Sequence, residues 1–131
     1  MIRASLLLCC LATPAFAAEK VPAPTYFVST VMETSTAQML AVRCSTLSIH
    51  LGKAALRSES VLVQLTKDGF EPSNLEDQMQ DPSADVAVLQ NAFVAKHNLR
   101  GTVTEDQICA AGQIEIAEGT GIGELLLGVA Q

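Results

Sequence analysis

Glu115 and Glu118, three residues apart in the stretch QIEIAEG, are the carboxylates best spaced to work together as acid and base. That spacing occurs on any charged helix, and no nucleophile stands at a motif distance from it, so the pair alone specifies no reaction. His50 and His97 have no companion at metal-ligand spacing and read as ordinary helix residues. Gly119-Thr120-Gly121-Ile122-Gly123 has the glycine density of a phosphate loop, but it follows a predicted helix instead of a strand and lacks a Lys-Ser/Thr after it. Glu71, Glu76, Asp77, Asp81 and Asp85 are dense enough to suggest calcium. Their spacing departs from the D-x-D-x-D-G loop, and a solvated acidic face is the better reading. No catalytic, cofactor-binding or metal-ligating residue is assigned, and the chain is expected not to be an enzyme.

The cysteines have to be counted against the start of the chain. Arg3, the short apolar run Leu6 to Ala12 and the A-x-A site Ala15-Phe16-Ala17 form the pattern of a cleavable secretory signal. Cleavage is expected after Ala17, so that residues 1–17 are a signal peptide, the mature chain begins at Ala18 and the protein is periplasmic. The apolar run is well below the roughly 20 residues of a membrane span. Cys9 follows Leu8, where a lipid-attachment motif wants a small residue, and both Cys9 and Cys10 lie very early in the apolar run, which argues against a lipid anchor. Their loss with the signal leaves Cys44 and Cys109, 65 residues apart, and two cysteines in an oxidising compartment pair. A redox site would call for a CxxC spacing that the chain lacks. Closing such a loop stabilises a fold by on the order of 4 kcal/mol in the chain-entropy model.

Without Arg3 the 8 basic residues become 7, against 14 acidic ones, a formal charge of −7. An acidic surface without tryptophan argues against nucleic-acid binding, which draws on basic patches and stacking rings. After signal removal nothing reads as membrane-spanning.

The elements that position these residues are helical by periodicity. Residues 18–28, with Pro22 and Pro24, form an extended, partly mobile lead-in, and residues 29–131 form a single helical domain. A first helix is expected over Ser29 to Cys44. A second periodic run, Leu47, Leu51, Ala54, Ser58, Val61 and Leu65, is either separate or continuous with the first through a bend at Ser45-Thr46. Asp68-Gly69-Phe70 reads as its stop. Ser73 to Glu76 reads as a capping box opening a short helix through Gln80, and Asp81-Pro82 opens a helix to His97 that Asn98 and Gly101 end. Thr104 and Gln107 form a second capping box for the closing helix, which Gly119 ends.

On a helical wheel Ile108, Cys109, Ala111, Gly112, Glu115 and Ile116 fill one arc of the closing helix. Glu115 is therefore a candidate buried polar site, with Arg43, His50 or a hydroxyl or main-chain group on the first helix as partner, unless it reaches solvent at the arc's margin. QIEIA alternates like a strand, but an isolated strand has nothing to pair with, and helix is preferred throughout. The tail residues Ile122, Leu125, Leu126, Leu127 and Val129 are too apolar to lie in water and are expected to be covered by the domain. The fold class is all-α, a small bundle of four to five helices with one disulfide whose first and closing helices run antiparallel.

The ending from Gly112 to Leu126 resembles the G-x-x-E-I-x-x-G-[S/T]-x-I-G-x-L-L pattern of an uncharacterised family of small exported alphaproteobacterial proteins, a domain of unknown function. The resemblance extends to the Cys44 to Cys109 framework and the Gly69-Phe70 turn. It implies a periplasmic helical protein with one disulfide, and it implies no activity, cofactor or catalytic residue. Three readings of function follow: an interaction protein, meaning an adaptor or inhibitor acting on an unknown protein partner; a small acid- or stress-responsive chaperone; and, more remotely, a hydrolase whose site is not located.

Overall fold

The computed structural model describes residues 18–129, so the expected signal peptide, with Ala17 at its expected cleavage site, lies outside the described residues. Helix α1 spans Thr25–Arg43, starting earlier than expected because Pro24 supplies the extended N-cap and its carbonyl accepts from the amides of Phe27 and Val28. The Tyr26 hydroxyl donates to Asp68 at 2.8 Å and fixes that first turn. Burial and this hydrogen bond push the phenol up to about 12. The serines and threonines of α1 give it little propensity of its own. Tertiary packing supplies what propensity lacks: Val28, Met32, Ala37 and Leu40 are buried along one face at the centre of the core.

The lead-in is extended but not loose. Val21 forms a parallel bridge to Met79, its amide donating to the Gln78 carbonyl at 3.0 Å and its carbonyl accepting from Gln80 at 2.8 Å.

After α1 the chain is extended at Cys44 and forms β1, Leu47–Ile49, before α2, Leu51–Lys67. The first and second helices are thus separate. β1 pairs antiparallel with β2, Leu126–Gly128, with Ile49 opposite Leu126 and Leu47 opposite Gly128. Helix throughout was the expectation, and these three-residue strands correct it at both places: each partner of the sheet lies at the far end of the sequence from the other. QIEIA itself is helical.

Helix α2 ends in a Schellman arrangement: Gly69 has φ +89°, Phe70 donates to Leu65 at 2.9 Å and Gly69 to Thr66 at 3.1 Å. A 3-10 turn over Pro72–Asn74 leads into α3, Leu75–Gln78. The expected Ser73 box is absent because Pro72 starts the turn early. Gln78 closes it instead, accepting from the Glu71 amide at 3.0 Å and donating to the Asn74 carbonyl at 3.2 Å.

Helix α4, Ser83–Lys96, is opened by Asp81, whose carboxylate accepts from the Ser83 amide at 2.9 Å. Helix α5, Glu105–Glu118, carries the full Thr104–Gln107 capping box. Helix α6 is the single turn Gly121–Glu124. The class is all-α with one small sheet. Among the described residues there are six helices where four to five were expected, two of them only four residues long.

Cys44 and Cys109 form a disulfide with their Cα atoms 5.2 Å apart. Going forward along the closing segment moves backward along α1: Glu105 meets Ser45, Cys109 meets Cys44, and Gly121 abuts Glu33. The two helices therefore run antiparallel. In the tail, Ile122, Leu125 and Leu126 join the core, whereas Leu127 and Val129 are exposed, contrary to expectation, because strand alternation turns them outward.

Candidate functional site

Helices α4 and α5 end at the same place. Each stops in a left-handed residue, Asn98 at φ +53° and Gly119 at φ +63°. Each is closed by the amide of the next residue: Leu99 donates to Val94 at 2.9 Å, and Thr120 to Glu115 at 3.2 Å. Two negative dipole ends thus converge, and the last turn of α5 contributes two carboxylates and no cation. The cation comes from α4.

Glu115 is 2% exposed. Its Oε1 accepts from Lys96 Nζ at 2.8 Å and lies 2.5 Å from His97 Nε2; its Oε2 accepts from the Thr120 hydroxyl. Lys96 also donates to Glu118, so one ammonium serves both carboxylates at once. Thr120 has a second task, accepting from the Gly123 amide at 3.1 Å as the cap of α6. The His97 side chain is buried, with its ring 4.7 Å from that of Phe93 at a 51° tilt.

Burial pushes the Glu115 carboxyl upward, but hydrogen bonds from Lys96, Thr120 and His97, with the Lys96 charge, outweigh it and hold the group below the ordinary carboxylate range. The bonds to Glu115 and then Glu118 hold the Lys96 ammonium above its usual value.

Beside this cluster a cleft of about 320 Å³ opens between α1, α4 and α6, walled by Met32, Leu89 and Phe93 and rimmed by Glu33 and Lys96. Glu33 is itself paired with Arg57 of α2, which reaches Glu124 of α6 at 2.9 Å. The partners expected for Glu115 are thereby corrected. Arg43 and His50 are elsewhere, and no group of the first helix bonds to Glu115; its donors come from α4 and from the turn after α5.

His50 caps α2, its Nδ1 accepting from the Lys53 amide at 3.4 Å. His97 was read as an ordinary helix residue, and it is a member of the cluster. The available signal was that Lys96-His97 stand immediately before one helix stop and Glu115 and Glu118 in the last turn before another, but a basic residue in a last turn also complements its own dipole, and that reading masked the other. The glycine stretch 119–123 forms no phosphate-type cradle: it ends one helix and caps the next. Among the described residues no group of three His, Cys, Asp or Glu side chains is placed to hold a metal ion.

Chemically, the arrangement clamps. A carboxylate with three donors keeps at most one of its lone pairs and, buried, turns none to solvent, and an ammonium shared by two carboxylates is no nucleophile. Helices joined by a buried ion cluster and one disulfide define the class of this protein: a small, cross-linked helical domain built around a polar lock. The chain matches over residues 19–127 a family described as "Family of unknown function (DUF5333)", and it belongs to that family. No curated protein and no solved structure matches it.

Proposed function

We propose that the protein is exported to the periplasm and works there by binding a protein partner, as an adaptor or inhibitor, and not by catalysis. The observation that carries this reading is helix α2. It is 17 residues long, yet Leu65 is its one buried residue, while Leu51 is 78% and Leu56 67% exposed, and Leu62 and Val63 are exposed as well. An amphipathic helix that leaves most of its apolar residues in water fits an interaction surface. Its attachment is narrow: besides Leu65 and the partly buried Ala54, Arg57 ties it to α1 and α6, and its C-cap Asp68 accepts from Tyr26. A groove of about 360 Å³ between α1 and α2, over Val31, Leu62 and Leu75, borders these residues at Leu62.

The leader pattern and the disulfide support export. No helix among the described residues is long and apolar enough to cross a membrane. The test is co-purification after cross-linking in periplasmic extract. Replacing Leu51, Leu56, Leu62 and Val63 together by serine should abolish capture of the partner while moving the melting temperature by no more than about 4 °C, since exposed side chains contribute little to stability. Capture that survives these four changes would refute the reading. The chaperone reading stands second, favoured by the buried Glu115 cluster, whose support weakens in acid. Suppression of client aggregation only at low pH would bring it forward.

A further inference from the structure

The helices are not equally secured. Helix α1 is bound to α5 by the disulfide, and β1 to β2 by the sheet, with His50 donating to Leu125 at 2.8 Å at its margin. Helix α4 has neither kind of link. It enters through the Asp81-Pro82 turn and leaves through Asn98 to Gly101, both ends of which lie in left-handed conformations. Its first half rests on α1 through Val86 and Leu89. Its C-terminal end is joined to α5 by Lys96 and His97 on Glu115, and Lys96 on Glu118.

We propose that the C-terminal end of α4, residues 93–99, is an acid-released flap for which Glu115 is the catch. A carboxylate accepts from all three of its neighbours, but a neutral carboxylic acid has one acceptor site fewer, offers no charge to Lys96 and brings a proton of its own into a ring of donors, so the three-donor arrangement is weakened once Glu115 is protonated. Lys96 is then left with Glu118, which is exposed and screened, and the buried charge pair that joined the two helix ends is gone. The groups that face the catch are few. Lys96 and His97 come from α4 and Glu118 from α5. Glu33 of α1 faces across the cleft, held by Arg57 of α2, which also binds Glu124 of α6. Among the described residues no second lysine or arginine stands within bonding distance of Glu115 to replace Lys96.

Release draws Phe93 away from Met32 and Ile122, with which it lines the cleft, and Leu99 out of the core, while the disulfide and the sheet keep the remaining core in place. The sign follows from the lowered carboxyl. The catch is fully closed above the ordinary carboxylate value of about 4.3 and opens as pH falls below it, the opening constant rising about tenfold per pH unit until the lower folded value is reached.

Amide hydrogen exchange from pH 7 to 2.5, corrected for intrinsic rates, tests this on the intact oxidised protein. The amides of His97 and Leu99 should lose protection about tenfold per unit below pH 4.3, while those of His50 and Val129 in the sheet stay protected. Glu115→Gln should exchange rapidly at residues 97–99 already at pH 7, with a flat profile. Lys96→Met, which leaves burial to dominate Glu115, should move the opening to higher pH. Loss of protection at the sheet and at α4 together at every pH, or a Lys96→Met profile identical to that of the wild type, would overturn the proposal.

Discussion

Glu115 occupies the turn of α5 where its own helix is least hospitable to a negative charge, and it is buried there as well. Only the donors from α4 and Thr120 make the position tenable. Removing the charge while keeping the shape, as in Glu115→Gln, should lower the unfolding free energy at pH 7 by about 3 kcal/mol, the scale of breaking a buried pair. Because the folded carboxyl is lowered, its contribution is present above about 4.3 and fades as pH falls through the folded value. Denaturant titrations of both proteins from pH 8 to 3 should therefore converge in acid. A constant gap across that range would mean that the substitution costs packing and not charge. The position of Glu115 on the buried arc was legible, since Ile108, Ala111 and Gly112 set the phase of the helix. Its partners were not. The disulfide drew attention to α1, whereas the donors come from a helix whose approach is fixed by two left-handed stops, which sequence periodicity does not encode.

Between elements, the close approaches are made by glycine. Gly123 lies against the backbone of Glu115 and Ile116, so a methyl group there would overlap a carbonyl that cannot move without unwinding the end of α5. At Gly112 the obstacle is the Leu47 side chain, which can rotate, and alanine also favours the helix by about 1 kcal/mol. Gly123→Ala should accordingly cost about 3 kcal/mol and Gly112→Ala less than about 1 kcal/mol, measured by thermal or denaturant unfolding. Equal costs would show that the Leu47 contact is as rigid as the backbone. Helix ends read well from sequence wherever a residue demands a special backbone angle, as at Gly69, Asn98 and Gly119. The strands did not read at all, because Leu47 and Leu51 fit helical spacing and three residues are too few to reveal alternation.

At the scale of the whole molecule, one covalent link spans the sequence. Cys44→Ala with Cys109→Ala should lower stability by about 4 kcal/mol, and wild type in reductant should melt with that double variant. A melting temperature indifferent to reductant would show that the core holds without the bond. The sheet has a consequence in time. Ile49 waits for Leu126 and His50 for Leu125, so in a chain made N-terminus first β1 stays unpaired until nearly all of it exists. Closure is then one late event dominated by distant pairings, slower than in a bundle of neighbouring helices. Cys44 is 2% exposed once closed but Cys109 is only partly buried, so an oxidant that arrives after closure can still take hold of Cys109, and Cys44 completes the exchange from inside the fold.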